Sequence, residues 1–69
     1  METLQFKTNI NCGSCVAKVT PFLNQLENVD TWKVDTNNPE KILTVSGEDL
    51  TSELIETTVQ KAGFEAAEV

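Results

Sequence analysis

Leu4-Gln5-Phe6-Lys7-Thr8-Asn9-Ile10-Asn11-Cys12-Gly13-Ser14-Cys15-Val16-Ala17-Lys18-Val19-Thr20-Pro21-Phe22-Leu23 is the stretch that decides the fold, because its apolar period changes partway along it. Leu4, Phe6 and Ile10 share even positions with Thr8 between them, and a period of two is that of a strand with one buried face, expected over about residues 2–9. A polar, small-residue loop follows, Asn9 to Ser14. Beyond it Val16, Val19, Phe22, Leu23 and Leu26 recur at helical spacing, which predicts a helix over about residues 14–26 with Cys15 in its first turn. Pro21 lies inside that helix, where it removes one backbone donor, so a kink is expected near residues 17–21.

Outward from this segment the pattern repeats. Trp32 and Val34 alternate with Lys33 and Asp35 as a second strand, Asn37-Asn38-Pro39 is turn chemistry, and Ile42 to Val45 reads as a third strand. Thr51 is placed to cap a second helix whose apolar face is Leu50, Leu54, Ile55, Val59 and Ala62. Gly63 stands where a helix C-terminus takes a left-handed residue, and Phe64 to Val69 reads as a last short strand. The order strand, helix, strand, strand, helix, strand, with right-handed crossovers, gives a four-stranded antiparallel sheet with both helices on one face. That is a ferredoxin-like α/β sandwich, here one domain spanning residues 1–69.

Composition narrows the function. A chain of 69 residues builds one thin core, hiding about 60% of its unfolded surface. Five lysines, no arginine and eleven carboxylates give a net charge of -6, which argues against binding a phosphate backbone and so against nucleic acid as a partner. No segment approaches the roughly 20 apolar residues of a membrane span, so membrane insertion is not expected. The first residues carry no basic stretch followed by an apolar run, and a cytoplasmic protein is the expectation. Topology sets Glu27, Asp30, Glu48 and Asp49 at the end away from the cysteines, so the cysteine end should be less negative than the net charge suggests.

Histidine is absent, so any chemistry must come from sulfur, carboxylate, lysine or backbone. The only cysteines are Cys12 and Cys15. Two sulfurs spaced by two residues meet at one point if the backbone turns tightly, and Gly13 and Ser14 are small enough to permit it. A helix N-terminus adds free amides and the positive end of the macrodipole, which favour thiolate over thiol and lower a cysteine pKa from about 8.5. Soft thiolates prefer Cu(I), and two of them suit low coordination, whereas a structural zinc wants four ligands. A thiol redox couple and inert buried cysteines are the alternatives for the pair.

Ile10-Asn11-Cys12-Gly13-Ser14-Cys15 after a first strand, with Gly63-Phe64 after a second helix, resembles the heavy-metal-associated domain of copper chaperones and of the N-terminal modules of metal-pumping P-type ATPases. The resemblance covers the whole chain. It implies the same fold, a carrier rather than an enzyme, Cys12 and Cys15 as metal ligands, and a transport ATPase or its metal-binding domain as partner. Ion transfer to the partner's Cys-x-x-Cys domain would proceed by thiolate exchange. The family motif is Met-x-Cys-x-x-Cys. Ile10 stands in place of its methionine, where it can fill a similar core volume.

Asn11 reads as a loop-capping side chain rather than a ligand, since a neutral amide is a poor donor to a soft metal. Phe64 is either plain core or also a shield for the thiolates. Lys18 and Lys61, placed by the topology at the cysteine end, could offset the charge of a bis-thiolate site; Trp32 reads as packing. Cu(I) is the expected cargo, with binding, detoxification or sensing of Hg(II), Zn(II) or Cd(II), or a small thiol redox function, as alternatives. A monomer is expected without metal, and a metal-bridged dimer is the second state such a site permits.

Overall fold

The computed structural model describes residues 2–10 and 13–69. Its elements run β1 (Glu2–Thr8), α1 (Gly13–Asn24), β2 (Val29–Asp35), β3 (Ile42–Gly47), α2 (Ser52–Lys61) and β4 (Ala66–Glu68). The strands form one sheet in the order β2-β3-β1-β4, every pairing antiparallel. This is the expected ferredoxin-like architecture.

Alternation along β1 buries Phe6 and Thr8, and register carries that face across the sheet: Phe6 lies opposite Leu43, Leu4 opposite Val45, and Val34 and Trp32 opposite the same two β3 residues from the other side. Val19 and Leu23 of α1 and Ile55 and Val59 of α2 close over them, making one core with Ile10 and Leu50. The opposite face of the sheet is polar; Thr3 and Ser46 join hydroxyls across it at 3.1 Å.

Helix α1 begins one residue before the expected start and ends two before the expected end. It runs through Pro21 without a break in its helical assignment. Both Pro21 and Ala17, whose carbonyl loses its usual partner, are exposed, so water can take the missing donor's place.

Thr51 is the N-cap of α2, its hydroxyl accepting from the Leu54 amide at 3.1 Å. Leu50 precedes the cap instead of lying on the helix, and with Ile55 it forms a hydrophobic staple, both belonging to the core. At the other end Gly63 takes φ 94°. The Phe64 amide donates to the Val59 carbonyl at 3.1 Å and the Gly63 amide to that of Gln60 at 2.9 Å, a Schellman closure with Phe64 packed on the core. The last strand therefore starts at Ala66, not Phe64, because the Phe64 amide is spent closing the helix.

Among the described residues two non-glycines have positive φ, Lys41 at 50° and Asp49 at 52°, one at each end of the sheet. Lys41 is held there from three directions: its amide donates to the Asn38 carbonyl, its ammonium to the Thr36 carbonyl, and its own carbonyl accepts the Thr8 hydroxyl. At the opposite end Gly47 is buried, and a Cβ there would stand 1.9 Å from the Asn28 carbonyl oxygen.

Candidate metal centre

The segment joining β1 to α1 leaves the sheet at the same end as the β2–β3 turn and the α2–β4 connection. Three hydrogen bonds fix that arrangement. The Thr8 amide donates to the Glu40 carbonyl at 3.2 Å, the Thr8 hydroxyl to the Lys41 carbonyl at 2.6 Å, and the Glu65 amide to Asn9 Oδ1 at 2.9 Å. Ile10, just before the cysteine motif, is fully buried in the core, as its substitution for a core methionine requires.

Cys15 lies in the first turn of α1, half-buried and packed against the core. No carboxylate occupies that first turn, so none competes there for the positive end of the helix dipole. Gly13 and Ser14, the first two helical residues, are exposed, and a Cβ on Gly13 would meet no atom within 4 Å. Cys12 and Asn11 lie outside the described residues. Among the described residues no three histidine, cysteine, aspartate or glutamate side chains converge on one point.

Phe64 is half-buried after α2, at the cysteine end of the molecule. Lys61 is the last residue of α2 and exposed, four residues before the Glu65 amide that contacts Asn9. Lys18 departs from its expected place at the cysteine end: it is exposed and stands sixth among the twelve residues of α1, midway along the helix.

The charge is polarised as the topology suggested, and more sharply. Glu2, Glu27, Asp30, Glu48, Asp49 and Glu53 gather at the end remote from the cysteines, with no lysine among them. At the cysteine end Lys7, Lys41 and Lys61 face Asp35, Glu40 and Glu65, a balanced set. The carboxylates are not idle at the remote end: Glu2 Oε1 accepts the Leu50 amide at 2.7 Å, tying the start of β1 to the entry of α2.

Sequence reading missed Thr8 and Asn9. Thr8 looked like one more strand position, and its hydroxyl donates to a residue 33 positions away; Asn9 looked like loop, and it binds a residue 56 positions away.

The profile of the heavy-metal-associated domain matches residues 5–65, and the chain belongs to that family. Solved structures share the fold. A copper-binding domain from a P-type ATPase superposes with a TM-score of 0.86 at 22% identity, covering 100% of this chain and 95% of that one. The first domain of the human copper chaperone for superoxide dismutase, in a copper(I)-loaded form, gives 0.79 at 24% identity, covering 96% and 89%. The N-terminal domain of ZntA in its Zn(II) form gives 0.79 at 24% identity with the same coverage, 96% and 89%. Comparison with curated protein sequences returns no match. No helix among the described residues is long and apolar enough to cross a membrane.

Proposed function

We propose that this heavy-metal-associated domain is a Cu(I) metallochaperone that holds its ion between Cys12 and Cys15. It would pass the ion to a Cys-x-x-Cys domain of a transport ATPase in the cytoplasm. The observation that carries the reading is the donor set: Cys12 and Cys15, with two residues between them, are the only cysteines in the chain, no histidine exists to join them, and Cys15 sits at a helix N-terminus free of carboxylates. Such a site offers a soft ion two thiolates and leaves its remaining coordination open. Transfer is then ligand exchange. A partner thiolate adds to the ion, one of Cys12 or Cys15 departs, and the second exchange completes the handover with no change of oxidation state. The domain acts as a carrier in this scheme and catalyses no bond change in a substrate.

Resemblance to a Zn(II)-form domain keeps zinc as the competing cargo. Zinc would need two further ligands beyond the cysteines. Anaerobic titration of the reduced protein with Cu(I) against a chromophoric chelator, repeated with Zn(II), tests the reading. One Cu(I) per chain is expected, with affinity reduced by orders of magnitude in Cys12→Ser and in Cys15→Ser. Unchanged affinity in both variants refutes it, and preferential binding of Zn(II) moves the cargo to the second ion.

A further inference from the structure

We propose that Thr8 is a positioning residue for the cysteine loop, an inference that rests on the metal-site reading above. Its hydroxyl stands at the junction of two chain segments. It donates to the Lys41 carbonyl at 2.6 Å and accepts the Ile10 amide at 3.2 Å, so one oxygen joins the β2–β3 turn to the residue two places before Cys12. A hydroxyl has one proton to give and lone pairs to receive, and this arrangement uses both capacities.

The site is dry. Thr8 is 8% exposed and Ile10 fully buried, so water cannot readily replace the hydroxyl for the Ile10 amide. The same residue's amide donates to the Glu40 carbonyl, which fixes the strand end against the turn and sets the direction from which the hydroxyl reaches Lys41. Lys41 is locked in its turn at positive φ, so the acceptor is itself a fixed point. Asn9 adds a second tether from the other side through the Glu65 amide. The chain therefore enters the cysteine motif from a backbone held at Thr8, Asn9 and Ile10 in succession. A pair of thiolates that must meet one ion gains affinity when the backbone leading to them is already ordered.

The test compares Thr8→Val, which keeps the shape and deletes the hydroxyl, with Thr8→Ser, which keeps the hydroxyl. Thr58→Val serves as a control, because Thr58 is also buried and its hydroxyl bond to the Leu54 carbonyl lies within α2. Amide exchange at Ile10 is measured on the reduced, metal-free protein, and Cu(I) affinity by chelator competition. Thr8→Val should exchange at Ile10 about tenfold faster and bind Cu(I) about tenfold more weakly, in keeping with the loss of a buried hydrogen-bond partner. Thr8→Ser should restore both, and Thr58→Val should move neither by comparable amounts. Unchanged exchange in Thr8→Val overturns the proposal, as does faster exchange with unaltered Cu(I) affinity, which would leave Thr8 a stabilising residue only. A wild-type protein that binds no Cu(I) refutes the metal site and with it a positioning role toward it, while the exchange result still reports whether Thr8 holds Ile10.

Discussion

Reversing Lys7 and Lys61, both exposed at the cysteine end, to Glu should slow metal transfer to a partner whose cysteine face carries carboxylates far more than replacing Glu48 and Asp49 with Lys. The distances come from the sheet. Ile42 and Gly47 bound β3, and at about 3.4 Å per residue they lie roughly 17 Å apart, which puts Glu48 about 20 Å from the cysteine end. For a partner charge about 7 Å from Lys7 or Lys61, Coulomb's law in water gives roughly 0.6 kcal/mol, and a screening length of about 10 Å reduces it to roughly 0.3. Two reversals change four unit charges, so about 1.2 kcal/mol, or roughly eightfold in rate, is expected. The same arithmetic at about 20 Å yields roughly 0.1 kcal/mol, barely a 1.2-fold effect. Stopped-flow transfer between proteins matched for Cu(I) affinity is the assay, at about 0.1 M salt and again near 1 M, where a screening length of about 3 Å should erase the difference. Equal slowing by both pairs, or a larger effect from Glu48 and Asp49, would refute the placement of the docking face.

Gly47→Ala should destabilise the protein by about 4 kcal/mol or more, seen in urea denaturation, because a Cβ 1.9 Å from the Asn28 oxygen must separate two backbones that also share the Glu48 amide to Asn28 carbonyl bond. That is a large share of the roughly 3–10 kcal/mol available to a chain of this size. Thr51→Ala should cost about 1 kcal/mol in the same assay through loss of the cap on Leu54. Reduced, metal-free protein should give the circular dichroism of a folded α/β domain, since the core from Phe6 to Val59 owes nothing to a bound ion; a random-coil spectrum would contradict this.

What was legible in the sequence was what neighbours along the chain determine. The Thr51 cap, the left-handed Gly63 and the strand period through Leu4 and Phe6 are local signals, and the structure realises each. Phe64 shows where the local reading bends. Phe64 and Ala66 alternate with exposed Glu65 and Ala67 as a strand would, yet the Phe64 amide bonds back to Val59 and the ladder with β1 begins at Ala66. The start of β2 was similarly obscured, since the register shifts between Val29 and Thr31 and breaks the alternation that marks Trp32 and Val34. At the candidate site the cysteine pair rests on its spacing in the sequence, with Cys15 in the first turn of α1 and Cys12 outside the described residues. The anchoring of the chain before it was not legible, because Thr8 and Asn9 act through partners brought near only by the closed sheet. Lys18 was set at the cysteine end because it lies near the motif in sequence, whereas three residues of helix beyond Cys15 carry it to the middle of α1.

Ile10 connects the core to the choice of cargo. Its side chain is fully buried, so it contributes volume and no lone pair. The soft donors that the sequence offers the proposed site are two cysteine sulfurs, with no histidine in the chain to join them. Closed zinc sites are stable because all four positions are filled from one chain. A two-thiolate site lacks that closure, and what it lacks is the opening through which an incoming thiolate can add before an outgoing one leaves. Low ligand count therefore serves two ends at once: it favours an ion content with two soft donors, and it keeps the exchange barrier from including the prior loss of a ligand. The remote carboxylates, confined to the far end of the sheet, leave that opening electrically balanced.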